Sequence, residues 1–364
     1  MGVKSSFEFR IDRLQALSPA GDISGAAEAA FRDETQLVGF YRAMMRARLF
    51  DAKAIALQRT GKLGTFPSAL GQEAIGVGVA AAMRAEDVLA PTYRDHPAQF
   101  LRGVTMTEVL LYWSGDERGS DFAVPRADFP VCVPVATQIA HAVGAAYAFK
   151  LRKEKRVAVA FIGDGGTGNG VFYEALNMAG VWRAPMVVVV NNNGWAISTP
   201  RTLTSACETL AQKAIGAGVE GRQVDGNDVL AVHMAAHEAL EKARDGGGPT
   251  LVEALSYRLG DHTTADDATR YRDPESVEAA WAIEPIARLR NHLLRRGLWS
   301  KEQEMALTKS CAEEIERAAT EYLEGPAPGV GAMFDHLFAA APTSLRAQRA
   351  EAERFAADQG GLHG

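Results

Sequence analysis

The sequence predicts an α/β fold with a doubly wound, mostly parallel sheet and helical extensions at both ends. Two short apolar runs, residues 157–162 and 186–190, follow an arginine and a proline and end at glycine and asparagine. Runs of this length without polar alternation are typical of strands buried on both faces of a parallel sheet. Residues 171–182 show helical spacing between them, which indicates a strand–helix–strand unit with a right-handed crossover.

Three helices are predicted before the first of these strands. Residues 33–59 carry apolar side chains on one side, and residues 136–151 also show helical spacing. Residues 71–83 are rich in alanine, glycine and valine, whose small side chains let a helix pack closely. These helices can cover the two faces of the predicted sheet.

A further helix and strand follow the two buried runs. The sequence Asp225-Gly226-Asn227-Asp228 is typical of a helix start, residues 229–244 of the helix, and residues 250–255 of a strand. The repeated alternation of strand and helix predicts a doubly wound sheet.

From residue 276 onward the sequence predicts mainly helices. One is expected over residues 277–296, and Ser300 is placed to cap another. We therefore expect an N-terminal extension over residues 1–34, an α/β domain over 35–275 and a helical C-terminal extension over 276–364.

Composition excludes several classes of protein. The 364 residues are 47% hydrophobic and 23% charged, which is ordinary for a globular chain. A net charge of −6 disfavours a nucleic-acid partner, because such binding needs clustered lysine and arginine. The three cysteines are too widely spaced for a CxxC metal pair, and neither a signal peptide nor a membrane span is predicted. We expect a soluble, cytoplasmic protein.

The segment Gly163-Asp164-Gly165-Gly166-Thr167-Gly168 lies between a predicted strand and a predicted helix. Glycines there let the backbone approach phosphate oxygens, and the helix that follows supplies free N–H groups. Asp164 would repel a diphosphate unless a cation lay between them, and magnesium is the natural bridge. The next strand ends in Asn191-Asn192-Asn193-Gly194-Trp195, so amides and carbonyls reach the same sheet edge.

Other interpretations of these segments remain open. The glycine turn also satisfies G-x-G-x-x-G, the dinucleotide fingerprint, so a nicotinamide-dependent oxidoreductase is an alternative. Against it, the following strand ends in asparagines and offers no acidic residue for a ribose hydroxyl. A turn that serves only tight packing is a second alternative, although the joint occurrence of both polar segments disfavours it.

The pair Gly163-Asp164-Gly165 and Asn192-Asn193, in which Asn193 lies 29 residues beyond Asp164, resembles the thiamine diphosphate signature. Residues 35–296 are also similar to alpha subunits of pyruvate and branched-chain 2-oxo acid dehydrogenases. The similar segments include residues 71–74, 92–95, 136–138, 196–200, 224–226 and 257–267.

This resemblance implies the thiamine diphosphate-binding fold and a set of site residues. Magnesium would be bound by the Asp164 carboxylate, the Asn193 side-chain oxygen and the Trp195 carbonyl. His262 would be the catalytic residue, because an imidazole can move protons near neutral pH. The residues implied to contact the cofactor are Tyr93, Arg94, Val133, Val135, Gly163, Asp164, Gly165, Gly166, Asn193 and His262.

The resemblance also implies partners and a reaction. The chain would oxidatively decarboxylate a small 2-oxo acid and transfer the acyl unit to a lipoyl group. It would do so in an alpha2-beta2 assembly that docks on a lipoyl acyltransferase core, with the activating glutamate on the beta subunit. Pyruvate is the expected substrate, with branched-chain acids as the alternative, and a noncatalytic assembly subunit remains a further possibility.

Overall fold

The computed structural model describes residues 7–335 and 337–358. The chain divides into two compact units, Met1–Ala319 and Thr320–Gly364. The first contains the sheet, and the second contains short and medium helices. The predicted domain bounds at 1–34, 35–275 and 276–364 stay a prediction. In the described part of the chain, no helix is long and apolar enough to cross a membrane.

Within the described residues, six strands form one sheet in which every pair is parallel. In chain order, the eight strands of the described residues are β1 (Arg13–Leu14), β2 (Val88–Ala90), β3 (Ala158–Gly163), β4 (Met186–Asn192), β5 (Trp195–Ala196), β6 (Thr199–Pro200), β7 (Glu220–Asp225) and β8 (Thr250–Leu255). The sheet order is β1-β7-β8-β4-β3-β2, and β5 pairs with β6 in a separate antiparallel hairpin. The predicted parallel α/β sheet is confirmed.

Helices of the first unit cover both faces of this sheet, and further helices follow in the chain. They are α1 (Gly25–Ala30), α2 (Glu34–Arg59), α3 (Glu73–Ala82), α4 (His96–Arg102), α5 (Met106–Ser114), α6 (Thr137–Arg152), α7 (Gly170–Trp182), α8 (Arg201–Thr204), α9 (Lys213–Gly216), α10 (Val229–Arg244), α11 (Pro274–Ala282), α12 (Pro285–Arg295), α13 (Lys301–Glu324), α14 (Ala332–Asp335) and α15 (Thr343–Asp358). Short 3₁₀ helices span Glu117–Ser120, Asp164–Gly168, Leu210–Gln212 and Ala268–Arg270.

The apolar run of β3 is buried on both faces, as its lack of alternation predicts. Val159 and Phe161 belong to a core cluster with residues of α2, α3, α10 and α12. Their neighbours Ala160 and Ile162 belong to a second cluster with residues of α6 and α7. Because successive strand side chains point to opposite faces, one continuous apolar strand supplies both cores of a three-layer structure.

Two predicted helix starts are confirmed by their caps. The Asp33 carboxylate accepts a hydrogen bond from Thr35 N at the start of α2. Asp228 accepts from Leu230 N and Ala231 N at the start of α10, whose bounds match the predicted residues 229–244. Such caps pair N–H groups that the first helical turn leaves without a partner.

The predicted single helix over residues 277–296 is wrong. The structure has two helices there, α11 and α12, and Ile283 and Glu284 separate them. Pro285 has no N–H to donate into the preceding turn, and it drives Glu284 into an extended conformation with φ −63° and ψ 151°. The Glu284 side chain then caps α12 by accepting from Ile286 N and Ala287 N.

Strands β1, β2 and β7 were not predicted. The first two contain two and three residues, which is too short for a periodicity to be recognised. Strand β7 has the sequence EGRQVD, whose polar residues conceal its place between β1 and β8. Asp228 ties the chain next to β1 to the start of α10, because its carboxylate accepts from Ala16 N and Leu17 N at 2.6 Å each.

Candidate functional site

The candidate site lies at the carboxyl ends of β3 and β4. The turn Asp164–Gly168 follows β3, and the asparagine run ends β4. A cavity of about 240 Å³ opens there. It is lined by Gln72, Thr92, Tyr93, Arg94, Asp95, Val135, Ile162, Gly163, Asp164, Gly165, Gly166, Asn191, Asn193, Trp195, Ala196, Ile197 and His262. The two polar segments therefore face one cavity, as their positions after neighbouring parallel strands predict.

The Asp164 carboxylate is buried in this cavity wall. The residue is only 2% exposed, and its Oδ2 atom has no hydrogen-bond partner among the described residues. Burial raises the pKa of Asp164 to about 6, against the smaller lowering effects of backbone hydrogen bonds and of the Arg258 and Arg201 charges. A buried carboxylate with an unpaired oxygen is the arrangement expected where a cation binds.

The glycines of the turn allow a close approach of neighbouring chain. A Cβ atom on Gly165 would lie 2.5 Å from the Cβ of Ala196, in the β5–β6 hairpin. A Cβ on Gly166 would lie 2.7 Å from Cγ1 of Ile162 and 2.9 Å from Cγ1 of Val135. The turn thus needs glycine for packing as well as for any approach to phosphate.

The asparagine run is ordered by a network of side-chain hydrogen bonds. Asn191 and Asn193 each donate from Nδ2 to Oε1 of Gln72 over 2.9 Å. The Asn193 Oδ1 atom accepts from Trp195 N at 3.1 Å. Asn192 points to the other face of the sheet, where its Nδ2 donates to buried Glu253 over 2.7 Å. Only the first and third asparagines therefore line the cavity.

Tyr93 and Arg94 lie at the start of the segment that leads into α4. The buried guanidinium of Arg94 donates from Nη1 to Ser68 O at 2.6 Å and from Nη2 to His262 O at 2.9 Å. The ring of Tyr93 meets the ring of His262 edge to face at 6.1 Å. Arg94 is therefore fixed by backbone carbonyls and not by a carboxylate within ion-pair distance in the described chain.

The His262 imidazole is held next to two guanidinium groups. Its Nδ1 lies 3.3 Å from Arg94 Nη2 and 3.4 Å from Arg258 Nη1. Burial and then the charges of these arginines lower the pKa of His262 to about 4. Because a guanidinium can only donate, Nδ1 is the acceptor, and the proton of the neutral ring lies on Nε2. The ring is therefore a neutral hydrogen-bond donor near pH 7.

The loop around His262 is ordered by hydrogen bonds from side chains of the segment that follows it and from Arg258. Asp266 accepts from His262 N at 2.8 Å and also from the Tyr271 hydroxyl. Arg258 donates to the same hydroxyl over 2.7 Å, and Arg272 donates to the Arg258 carbonyl. Asp267 instead accepts locally from Thr269 N and Oγ1, so it caps the 3₁₀ helix Ala268–Arg270.

Nine of the ten residues expected to contact a cofactor line the cavity, as does Trp195. Val133 is the tenth, and it does not line the cavity but is 53% exposed. Gln72, which lines the cavity, and Arg258, which contacts His262, were not predicted as site residues from the sequence. Both lie in segments that carry the family resemblance, which is the signal that could have identified them.

Two other histidines, His96 and His233, lie in structural surroundings. His96, buried at the start of α4, bonds from Nε2 to Asp51 Oδ1 over 2.6 Å and does not line the cavity. His233, on α10, packs against the rings of Phe31 and Phe40. Among the described residues, no group of three or more His, Cys, Asp or Glu residues could hold a metal ion.

Comparison with known proteins identifies the family of the chain. The sequence profile of the family described as "Dehydrogenase E1 component" matches residues 41–330. The chain is 41% identical to the 3-methyl-2-oxobutanoate dehydrogenase subunit alpha of Mycobacterium tuberculosis, covering 93% of each chain. It is 39% identical to the pyruvate dehydrogenase E1 component subunit alpha of Acholeplasma laidlawii, covering 88% of this chain and 93% of that one. The Bacillus cereus subunit of the same name is 37% identical over 93% and 92% of the two chains.

The profile match spans most of the chain and includes the residues that line the cavity. The matched relatives are alpha subunits, which implies a beta subunit as partner. Family membership also implies thiamine diphosphate as the cofactor. The chain therefore belongs to the dehydrogenase E1 component family, as an alpha subunit of a thiamine diphosphate-dependent 2-oxo acid dehydrogenase.

Proposed function

We propose that the cavity binds the diphosphate end of thiamine diphosphate through Mg²⁺, in the alpha subunit of a pyruvate dehydrogenase component. The observation that carries this proposal is the buried Asp164 carboxylate, whose Oδ2 has no partner, at the same sheet edge as Asn193. An ionised carboxylate in so buried a place is costly unless a cation compensates it. Two phosphoryl groups need the same cation.

The donor set fits magnesium better than a transition metal. The proposed ligands are the Asp164 carboxylate, the Asn193 side-chain oxygen and the Trp195 carbonyl, which are all hard oxygen donors. Since the described residues include no cluster of three His, Cys, Asp or Glu residues, diphosphate oxygens and water must complete the shell. Mg²⁺ typically binds in this way, with few protein ligands and with phosphates.

Other residues of the chain have distinct proposed roles. Gly163, Gly165 and Gly166 would bring backbone to the diphosphate, and Tyr93 and Arg94 would contact it. Val133 and Val135 would offer backbone groups to the aminopyrimidine ring. The bound cofactor supplies the carbanion chemistry that removes carbon dioxide from a 2-oxo acid. The neutral His262 ring, whose Nδ1 faces Arg94 and Arg258, would donate a hydrogen bond from Nε2 to an oxygen of the substrate or acyl group.

Pyruvate is the proposed substrate, and a branched-chain 2-oxo acid is the second candidate. Relatives named as pyruvate dehydrogenase subunits are 35% to 39% identical to this chain. The relative named for 3-methyl-2-oxobutanoate is 41% identical, and it supports the second candidate equally well.

The proposed assembly is an alpha2-beta2 heterotetramer in the cytoplasm that docks on a lipoyl acyltransferase core. Among the described residues that line the cavity, none is a glutamate. This supports the proposal that the acid that activates the cofactor comes from the beta subunit.

The test uses the chain reconstituted with its beta subunit. Calorimetry should show thiamine diphosphate binding that requires Mg²⁺, and the purified alpha chain alone should not decarboxylate pyruvate. Steady-state rates with pyruvate, 3-methyl-2-oxobutanoate and acetoin then decide between the substrates. Tight NAD binding without Mg²⁺-dependent thiamine diphosphate binding would contradict the proposal, and full activity of His262→Ala would favour a noncatalytic subunit.

A further inference from the structure

We propose that Asp51, which does not line the cavity, is a positioning residue that sets the place of the Arg94 guanidinium and, through it, of His262. Asp51 lies on α2 and is buried. This inference rests on the proposed function, because it assigns Asp51 a role in cofactor binding at the same cavity.

The Asp51 carboxylate is the fixed point of the segment that precedes α3. Its Oδ2 accepts from Ser68 Oγ and from Ala69 N, both at 2.7 Å. Its Oδ1 bonds His96 Nε2 at 2.6 Å, within a group of rings formed by Phe50, Phe66 and Phe100. One buried side chain thereby joins α2, the segment at 68–69 and the start of α4.

The segment at 66–70 in turn contacts Arg94 and, at two residues, the loop around His262. Ser68 O accepts from Arg94 Nη1 over 2.6 Å, and Leu70 O accepts from Leu259 N over 3.2 Å. Phe66 exchanges hydrogen bonds with Thr264, from Phe66 N to Oγ1 and from Thr264 N to Phe66 O, at 3.0 Å each. A shift of this segment would therefore move Arg94 and both sides of His262 together.

The charges around Arg94 also support a link between Asp51 and Arg94. Arg94 is buried, and the described residues place no carboxylate within ion-pair distance of its guanidinium. Burial lowers the pKa of Arg94, the Arg258 charge adds to that lowering, and the negative charges of Asp51 and Asp95 oppose it. Asp51 is linked to Arg94 through the Ser68 residue that both contact. Asparagine at position 51 would remove this charge and one of the acceptor oxygens.

The test is a double-mutant cycle on the alpha–beta component, with the Kd for thiamine diphosphate measured by calorimetry in excess Mg²⁺. Asp51→Asn should raise the Kd about 10-fold in the wild-type background. In the Arg94→Lys background, which has already lost the planar donor pair, Asp51→Asn should change the Kd less than about 2-fold. A purely structural role would give equal losses in both backgrounds.

Two further variants separate positioning from stability. Asp228→Asn removes another buried carboxylate that fixes a backbone segment, by accepting from Ala16 N and Leu17 N, and it should lower the melting temperature without changing the Kd. Ser68→Ala keeps the carbonyl that Arg94 contacts but loses the Asp51 bond. It should raise the Kd about 3-fold, and it replaces Asp51→Asn in the cycle if that variant does not fold.

The outcomes are distinguishable. An unchanged Kd in Asp51→Asn, or an equal increase with and without Arg94, would overturn the positioning role while leaving thiamine diphosphate binding established. Absence of Mg²⁺-dependent binding in the wild-type component would overturn the proposed function and this inference with it.

Discussion

The side-chain amide of Asn193 donates to Oε1 of Gln72 across 2.9 Å, and this bond determines which way both amides face. Trp195 N can only donate, and it lies 3.1 Å from Asn193 Oδ1, so the other amide atom of Asn193 must be the nitrogen. Gln72 must then present its oxygen, which also accepts from Asn191. Gln72 therefore orients the two asparagines that line the cavity.

Replacement of Gln72 should test this role directly. Gln72→Ala leaves the Nδ2 groups of Asn191 and Asn193 without an acceptor in a buried place, which should lower the free energy of unfolding by about 2 kcal/mol. Gln72→Glu keeps an acceptor oxygen, so it should be much less destabilised at about pH 4, where a buried carboxyl stays neutral. Thermal unfolding of the reconstituted component at this pH measures both, and equal melting temperatures for the two variants would contradict the proposed orientation.

Asp164→Asn should separate stability from cofactor binding. The variant loses the anionic metal ligand, so the Kd for thiamine diphosphate in Mg²⁺ should rise at least about 100-fold. The fold without cofactor should not weaken. The pKa of Asp164 rises from 3.8 to about 6 on burial, so the wild-type carboxylate lowers stability as pH increases through this interval.

The pH dependence of the same variant gives a second measurement. In metal-free buffer, Asp164→Asn should gain roughly 2–3 kcal/mol over the wild type above pH 6, and this difference should vanish below about pH 4. Urea unfolding at pH 4 and pH 8 tests the sign. A variant that is less stable than the wild type at pH 8 would show that the buried carboxylate has a partner.

His262 should titrate far below an ordinary histidine. Burial and the charges of Arg94 and Arg258 lower its pKa from 6.5 to about 4, so the neutral ring stabilises the folded state above pH 6.5. That contribution is lost as pH falls from 6.5 towards 4. NMR of ring-labelled histidine should give a midpoint near 4, and Arg94→Met should move it upward. A midpoint at 6.5 in the wild type would contradict the contacts with both guanidiniums.

The parts of the fold that the sequence could predict are those whose burial leaves a pattern. Strands β3 and β4 are continuous apolar runs, and α10 begins at an aspartate cap, so their positions were predicted closely. Strand β7 was not predicted, because its sequence is mostly polar and most of its residues are only partly buried. The break between α11 and α12 depends on one residue, Pro285, within an otherwise helical pattern.

The residues of the candidate site likewise divide into those that the sequence could predict and those that it could not. Asp164 and Asn193 follow predicted strands in the chain, so topology alone brings them to one edge. Asp51 lies on α2 and Gln72 immediately before α3, both far from the asparagine run in the sequence, and only their three-dimensional contacts reveal what they orient. Neither residue type nor spacing specifies a hydrogen bond between residues separated by more than one hundred positions, such as Asn193 and Gln72.

A glycine pair offers a test of how closely the turn must pack. In Gly165→Ala, the new Cβ would lie 2.5 Å from the Cβ of Ala196, which is closer than atoms in contact can be, so the turn or the β5–β6 hairpin must move. The movement displaces the backbone next to Asp164 and Trp195. The Kd for thiamine diphosphate should therefore rise about 10-fold or more.

Gly170→Ala is the matched control, because the same loop leads to it and a Cβ there would meet nothing within 4 Å. Gly170 is the first residue of α7, where alanine is the better helix former. This variant should keep the wild-type Kd and melt at the same or a slightly higher temperature. If Gly165→Ala and Gly170→Ala bind thiamine diphosphate equally well, the close packing of Gly165 against Ala196 has no part in forming the cofactor site, and the glycine requirement must arise elsewhere in the turn.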